Sequence, residues 1–336
     1  MGAFLLPSAC LAASLLLTSI VVEAGEAESA HPHEGRAGHL NADNSIGDLL
    51  NHPAFRGYSR LLMPRSDRAY DEGMRLAEIG TLLPYHSHVD PQTVVAGLNR
   101  MIDDVNDGRP VFYDFQTEAQ KRSDPAKEQR GLFFFRGKPG APFAIISPGG
   151  GFSYVGSVHE GFPYAGEISG QGYNAFVLKY RTGLGGAAAT EDLAAAISYI
   201  YRNAETLAVD RRDYSLWGSS AGARMAAAIG SHGVMAFGGD DLPKPATVVM
   251  AYTAHSDTSS DEPPTFVVVG DQDRISPPDA MERRVAILRQ AGTEVEYRRY
   301  EQLDHGFGAG IGTRAEGWIA DAVRFWQKFI RNSRAR

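Results

Sequence analysis

Residues 217 to 223 read Trp217-Gly218-Ser219-Ser220-Ala221-Gly222-Ala223. This is Gly-x-Ser-x-Gly with Ser220 at its centre. The run 214–217 before it is apolar and strand-like. Residues 221–229 after it are small and suit a helix. Strand, sharp turn and helix form the setting in which a serine hydroxyl is lifted to the tip of a strained turn. Glycines two residues before and after let strand and helix approach. The amide of Ala221, the first free N–H of the helix, points to where charge develops on an attacked carbonyl oxygen. Ser219 is the local competitor, but only Ser220 is centred.

A serine hydroxyl needs a base within hydrogen-bond reach, and the base needs an acid to hold its tautomer. This turn resembles that of the α/β-hydrolases, and the resemblance implies the chain order Ser, then Asp or Glu, then His. The apolar run 266–269 is followed by Gly270-Asp271-Gln272-Asp273-Arg274. Asp271 and Asp273 both suit a loop acid, and the Gly-x-x-Asp spacing favours Asp273. After the next run, 295–300, comes Asp304-His305-Gly306. Of the ten histidines only His305 follows Asp273, which makes it the candidate base.

A second amide donor to the carbonyl oxygen is expected after an early strand. The run 143–147 leads into Pro148-Gly149-Gly150-Gly151-Phe152. Three glycines allow amides to face a substrate oxygen without side-chain obstruction. Gly150 and Gly151 are the candidate donors, together with Ala221. A phosphate-cradling loop would run directly into a helix, in one version through Gly-Lys-Ser/Thr. Here Phe152-Ser153-Tyr154 follow instead. Phe152, Tyr154 and His159 are candidates to line a pocket, and His255 is a candidate at its rim.

From residue 131 onward, strand-like runs (132–135, 143–147, 175–180, 214–217, 247–252, 266–269, 295–300) alternate with helical patterns (162–171, 191–208, 221–231, 280–290, 314–331). Continuous apolar strands separated by helices predict an α/β fold, a mostly parallel sheet covered by helices on both faces. Residues 131–336 read as one catalytic domain. Residues 46–130 form an N-terminal extension suited to cover the site, with a short strand at 111–115 and a loop at 123–130. Its residues 94–105 are apolar at offsets of 3 and 4, a helix started by Asp90-Pro91.

Residues 1–24 are read as a signal peptide: an uncharged run ending in Val22-Glu23-Ala24. Their length also permits a membrane anchor if they stay uncleaved. Residues 25–45, with His31, His33 and His39, read as a flexible linker. His86-Ser87-His88 has a spacing met in metal sites, but in a loop.

Of the 336 residues, 43% are hydrophobic and 22% charged, which excludes a disordered chain. A net charge of -7 argues against nucleic acid as a partner. The single cysteine, Cys10, excludes an internal disulfide and a multi-thiolate zinc site.

Together, Pro148 to Phe152, Gly172 to Arg181, Gly218 to Gly222, Gly270 to Asp273 and His305-Gly306 resemble the α/β-hydrolase superfamily, from about residue 131 to the C-terminus. Within it the chain looks like the bacterial acetyl-esterase and feruloyl/acetylxylan-esterase-like group. The resemblance implies hydrolysis of short acyl esters, carbohydrate esters among them, through an acyl-serine, with no metal or organic cofactor. It implies Ser220 as nucleophile, His305 as base and Asp273 as its partner, in a secreted or periplasmic enzyme. Two positions depart from the pattern. Pro148 stands where lipase-like relatives carry His, and Ala223-Arg224 stands where many relatives continue with Gly. A serine peptidase of the same fold, or a noncatalytic module on the same scaffold, would share most of these features.

Overall fold

The strand-like runs align into one sheet. The structure, a computed structural model, describes residues 36–334. The strands are β1 (Phe112–Tyr113), β2 (Gly131–Phe135), β3 (Pro142–Ser147), β4 (Asn174–Lys179), β5 (Asp210–Ser219), β6 (Thr247–Ala251), β7 (Thr265–Gly270) and β8 (Val295–Tyr300). Among the described residues they form a single eight-stranded sheet in the order β1-β2-β4-β3-β5-β6-β7-β8. β1 and β4 run antiparallel to β2, and every other pairing is parallel.

Successive side chains of each strand face opposite sides. Phe133, Phe135, Ile146, Val177, Trp217, Val249 and Val268 join one buried cluster. Leu132, Phe134, Ile145, Phe176, Leu216, Val248 and Val267 join the other. The first face is covered by helices Pro91–Asn106, Phe162–Gly170 and Trp318–Arg334. Helices Gly185–Arg202, Ala221–His232 and Pro278–Gln290 cover the second. Burial on both sides explains why the central strands read as unbroken apolar runs.

After β1 and β2 at one edge, the chain starts the parallel part of the sheet at β3, moves to β4 on one side, then crosses to β5 on the other. The strand order therefore reverses between β3 and β5. In open parallel sheets a crevice opens there, beyond the carboxyl ends of the strands. The glycine loop follows β3 and the Ser220 turn follows β5, so both stand at that crevice.

Several expected boundaries move. Of the linker expected over 25–45, residues 25–35 lie outside the described residues, and from Ala37 onward the chain is docked. Asn106 bonds both backbone groups of Ala37, Asn99 does the same for Leu40, and Ser45 caps helix Ile46–Leu50. The partners are amide side chains of the helix Pro91–Asn106, so no apolar period announces the contact. Residues 123–130, expected as a loop, lie in two short helical segments, Glu118–Ser123 and Pro125–Gln129, capped by Thr117 and Asp124. The helix expected at 191–208 spans Gly185–Arg202, beginning at a glycine pair. A Cβ on Gly186 would lie 3.1 Å from the Phe152 ring, which accounts for a small residue there.

The extension is not a separate cap. Ile46, Leu49, Phe55, Leu62, Met63, Leu76 and Ile79 are part of the buried cluster on the first face. Residues 37–336 form one compact unit. The signal segment, Cys10, His31 and His33 lie outside the described residues. No helix among the described residues is long and apolar enough to cross a membrane.

Candidate active site

β3 and β5 pair in parallel with Ser147 opposite Gly218. The two loops that leave them must therefore pack side by side. A Cβ on Gly222 would lie 1.8 Å from the Ser147 carbonyl oxygen, and one on Gly218 2.4 Å from the Gly222 carbonyl. Both glycines are demanded by backbone contact, as the motif implied. Ser220 between them has φ 50° and ψ -116°, a conformation that L residues rarely hold. Its amide donates to Ala251 O at 2.8 Å, which fixes the turn to β6.

The turn aims Ser220 Oγ at His305 Nε2, 2.9 Å away. The His305 Nδ1 atom lies 2.7 Å from Asp273 Oδ2. With the Nδ1 proton donated to Asp273, Nε2 is free to accept from the serine. Asp273 is itself held by the amides of Ile275 and Ser276, which donate to Oδ1 at 2.9 and 2.7 Å. Asp271, the other acid considered, has a buried Oδ1 with no partner. Ser219 faces the opposite way, its Oγ 3.1 Å from the Tyr164 hydroxyl.

Gly150 and Gly151 have φ 128° and 62°. Among the described residues, no hydrogen bond is donated by the amides of Gly150, Gly151 or Ala221. They are three unspent donors beside the Ser220 turn. A cavity of about 250 Å³ opens over Ser220, lined by Gly151, Phe152, Ala221, Arg224, Ile275 and Ser276 among others.

Of the four expected pocket residues, Phe152 alone lines this cavity. Ser153 and Tyr154 bond back to Gly150 O and reverse the loop. Tyr154 is thereby turned away. Its hydroxyl accepts from Tyr85 N at 3.1 Å and meets His86 Nδ1 at 2.8 Å, and its ring lines a neighbouring hollow of about 300 Å³. His159 is buried, with Nε2 donating to Gly306 O at 3.0 Å. Burial, with His86 beside it, lowers the His159 pKa to about 4, so the ring is neutral. His255 does not line the cavity; its Nε2 is buried without a hydrogen-bond partner, and burial lowers its pKa to about 4.

The BD-FAE family matches residues 137–240, and the prolyl oligopeptidase family matches residues 233–333. The solved structure of propionate-bound esterase Est2 from Thermogutta terrifontis aligns with TM-score 0.53 and 19% identity, over 60% of this chain and 89% of its own. The α/β hydrolase MGS-M1 from a Medee basin deep-sea metagenome library aligns with TM-score 0.52 and 22% identity, over 60% and 93%.

The chain has the α/β-hydrolase fold.

An acetyl ester-xyloside bifunctional hydrolase from Caldicellulosiruptor lactoaceticus is similar over 59% of this chain and 88% of its own, with TM-score 0.53 and 20% identity. An acetylxylan esterase from Xylanibacter ruminicola is 23% identical over 238 residues, 62% of this chain. The chain spans 49% of the length of that curated relative.

In this α/β-hydrolase fold one group escaped the sequence reading. Glu160 has no solvent exposure. Its carboxylate accepts from the amide of Gly149, from the Tyr252 hydroxyl at 2.8 Å and from His86 Nε2 at 3.0 Å. Burial alone would raise its pKa. The adjacent His86, with the hydrogen bonds, outweighs burial and sets it at about 2. The carboxylate therefore backs the glycine loop from inside the protein.

The base loop is tied to the extension. Ser87 donates from N to Gly306 O at 3.0 Å and from Oγ to His305 O at 2.8 Å. Gly306 has φ 73°, and a Cβ there would lie 2.4 Å from Tyr85 O. The glycine after the histidine is thus required by the extension passing over it. Both histidines of the pattern at 86 and 88 lie in that loop, and His86 is used by Glu160 and Tyr154. Among the described residues no group of three or more His, Cys, Asp or Glu is placed to hold a metal.

Proposed function

We propose that the chain is a serine carboxylesterase acting on short acyl esters, with acetylated carbohydrates as the substrate class. The observation that carries this is the hydrogen-bonded line Ser220 Oγ–His305 Nε2 and His305 Nδ1–Asp273 Oδ2, at 2.9 and 2.7 Å. Its setting beside three unspent amides supports the same reading.

Ser220 Oγ attacks the ester carbonyl carbon as His305 Nε2 takes its proton. The oxygen becomes an oxyanion held by the amides of Gly150, Gly151 and Ala221. Asp273 keeps the imidazole in register and stabilises its charge. The C–O bond to the alcohol breaks, and the alkoxide takes the proton from His305. A water, deprotonated by His305, attacks the acyl-Ser220 carbonyl. Ser220 then leaves with the proton, and the acid departs. No metal or organic cofactor enters these steps.

The small cavity, about 250 Å³, suits a short acyl group. The acetylxylan esterase and acetyl ester-xyloside hydrolase relatives support a carbohydrate ester. Export follows from reading residues 1–24 as a signal peptide. Peptide-bond hydrolysis is the second reading, favoured by the prolyl oligopeptidase match over 233–333, since the same three side chains serve both reactions.

Esterase 2 of Thermogutta terrifontis is known phosphonylated by cyclosarin, which makes an organophosphonate a suitable probe. The expected result is one label per chain, on Ser220, with turnover of 4-nitrophenyl acetate lost in Ser220→Ala. Wild-type turnover in that variant would overturn the proposal. Cleavage of aminoacyl amides with none of esters would favour the peptidase reading.

A further inference from the structure

The departure after the serine motif, Ala223-Arg224, has no part in the chemistry above. Arg224 lies four residues beyond Ser220, in the first turn of helix Ala221–His232. Both line the same cavity. The remaining wall is Gly151, Phe152, Ala221, Thr253, Ala254, Ile275 and Ser276, which contributes no carboxylate.

Arg224 is exposed, and among the described residues it has no ion pair or hydrogen bond. Several other arginines are paired. Arg284 meets Glu262 at 2.9 Å, Arg181 meets Asp192 at 2.9 Å, and Arg109 meets Asp104 at 2.7 Å. Other exposed arginines, Arg122, Arg274 and Arg283 among them, also make no ion pair among the described residues, but none of them lines this cavity. The one beside the candidate nucleophile is left unmatched. Asp273, on the loop that brings Ile275 and Ser276 to the cavity, is committed to His305 and to two amides.

We propose that Arg224 receives a carboxylate carried by the substrate, so that the site selects anionic esters over neutral ones of equal size. The inference rests on the carboxylesterase reading and names its substrate class further. A guanidinium presents two parallel N–H donors to a carboxylate, a match that an ammonium cannot reproduce. Phe152 and Ile275 give the rest of the substrate an apolar surface. An acetylated uronic acid would carry the charge on the alcohol side of the ester. A dicarboxylic acid half-ester would carry it on the acyl side.

The test compares kcat/KM within two matched pairs on the full chain. One pair is an acetylated methyl glucuronoside against the acetylated methyl glucoside. The other is monoethyl glutarate against ethyl pentanoate. The readout is the anionic-to-neutral ratio in each pair. In one pair the wild-type ratio should exceed unity and fall about tenfold in Arg224→Gln, mainly through KM. Arg224→Lys should keep part of it, Arg224→Glu should bring it below unity, and added salt should shrink it. The pair that responds identifies the side of the ester that carries the charge.

Ratios that stay the same in wild type and all three variants, with neutral esters still turned over, would overturn this inference and leave the esterase reading intact. Absence of turnover on every ester, with no phosphonate label on Ser220, would overturn the esterase reading and this inference with it.

Discussion

The amide of Gly149 donates to Oε2 of Glu160, a carboxylate sealed from solvent. The glycine loop, whose next two amides are unspent, is therefore anchored by a buried charge. The same charge receives Tyr252, whose hydroxyl also accepts from Gly308 N at 3.2 Å on the base loop. One carboxylate thus joins the loops after β3, β6 and β8. Glu160→Gln keeps the shape and removes the charge. The expected outcome is a fall in kcat of up to about 100-fold from a displaced loop, with KM changed little. Steady-state kinetics on 4-nitrophenyl acetate checks this, and an unchanged kcat would show that the loop holds itself.

Asp273 and Asp271 lie two residues apart, and only Asp273 reaches His305. Asp273→Asn should lower kcat by about 1,000- to 10,000-fold, because the imidazole loses the partner that fixes its tautomer. Asp271→Asn should stay within about threefold of wild type. Equal losses in the two variants would show that the loop, not one carboxylate, is what matters.

Gly222 abuts Ser147 O so closely that a methyl group would lie 1.8 Å from it. Gly222→Ala must push β3 and helix Ala221–His232 apart. A loss of at least about 2 kcal/mol is expected from overpacking in a well-filled core. Urea unfolding measures it, and a midpoint equal to that of wild type would contradict the fit.

Lys179 on β4 is fully buried, its Nζ donating to Met63 O and Pro64 O. Burial lowers its pKa from 10.5 to about 7. Between those two values the unfolded chain binds the proton and the native one does not. Stability from this group must therefore rise with pH from about 7 upward. Buried tyrosines act in the opposite sense, since burial raises their pKa, but only in more alkaline solution. Melting temperatures of wild type and Lys179→Met, compared from pH 7 to pH 9.5, isolate the lysine: the wild-type curve should climb relative to the variant. Parallel curves would mean that the lysine stays charged inside the fold.

Ser220, Asp273, His305 and the glycine loop were legible because each depends on a short window of chain. A turn needs its glycines, a loop acid follows its strand, and the parallel sheet brings the ends of β3, β5, β7 and β8 to one edge. Glu160 was not legible. Its partners come from residues 86, 149 and 252, and no local pattern marks a buried charge whose donors are that dispersed. Tyr154 and His159 show the related limit. Nearness in sequence to the glycine loop said nothing about direction: the backbone reversal at Gly150 turns Tyr154 away from the cavity, and His159 is buried against Gly306. The docking of residues 37–40 was hidden because two asparagine side chains and the single buried Leu40 hold it, which makes no apolar period.

The contacts of Ser87 with His305 and Gly306 mark where the protein can be cut. Motif boundaries suggest a portable half beginning near residue 131. A chain trimmed there would lose the aliphatic layer over Phe133, Phe135 and Phe162, and the base loop would lose its outer clamp. For domain swapping or fusion, the unit to transplant begins at residue 37, with the extension inherited as part of the catalytic body.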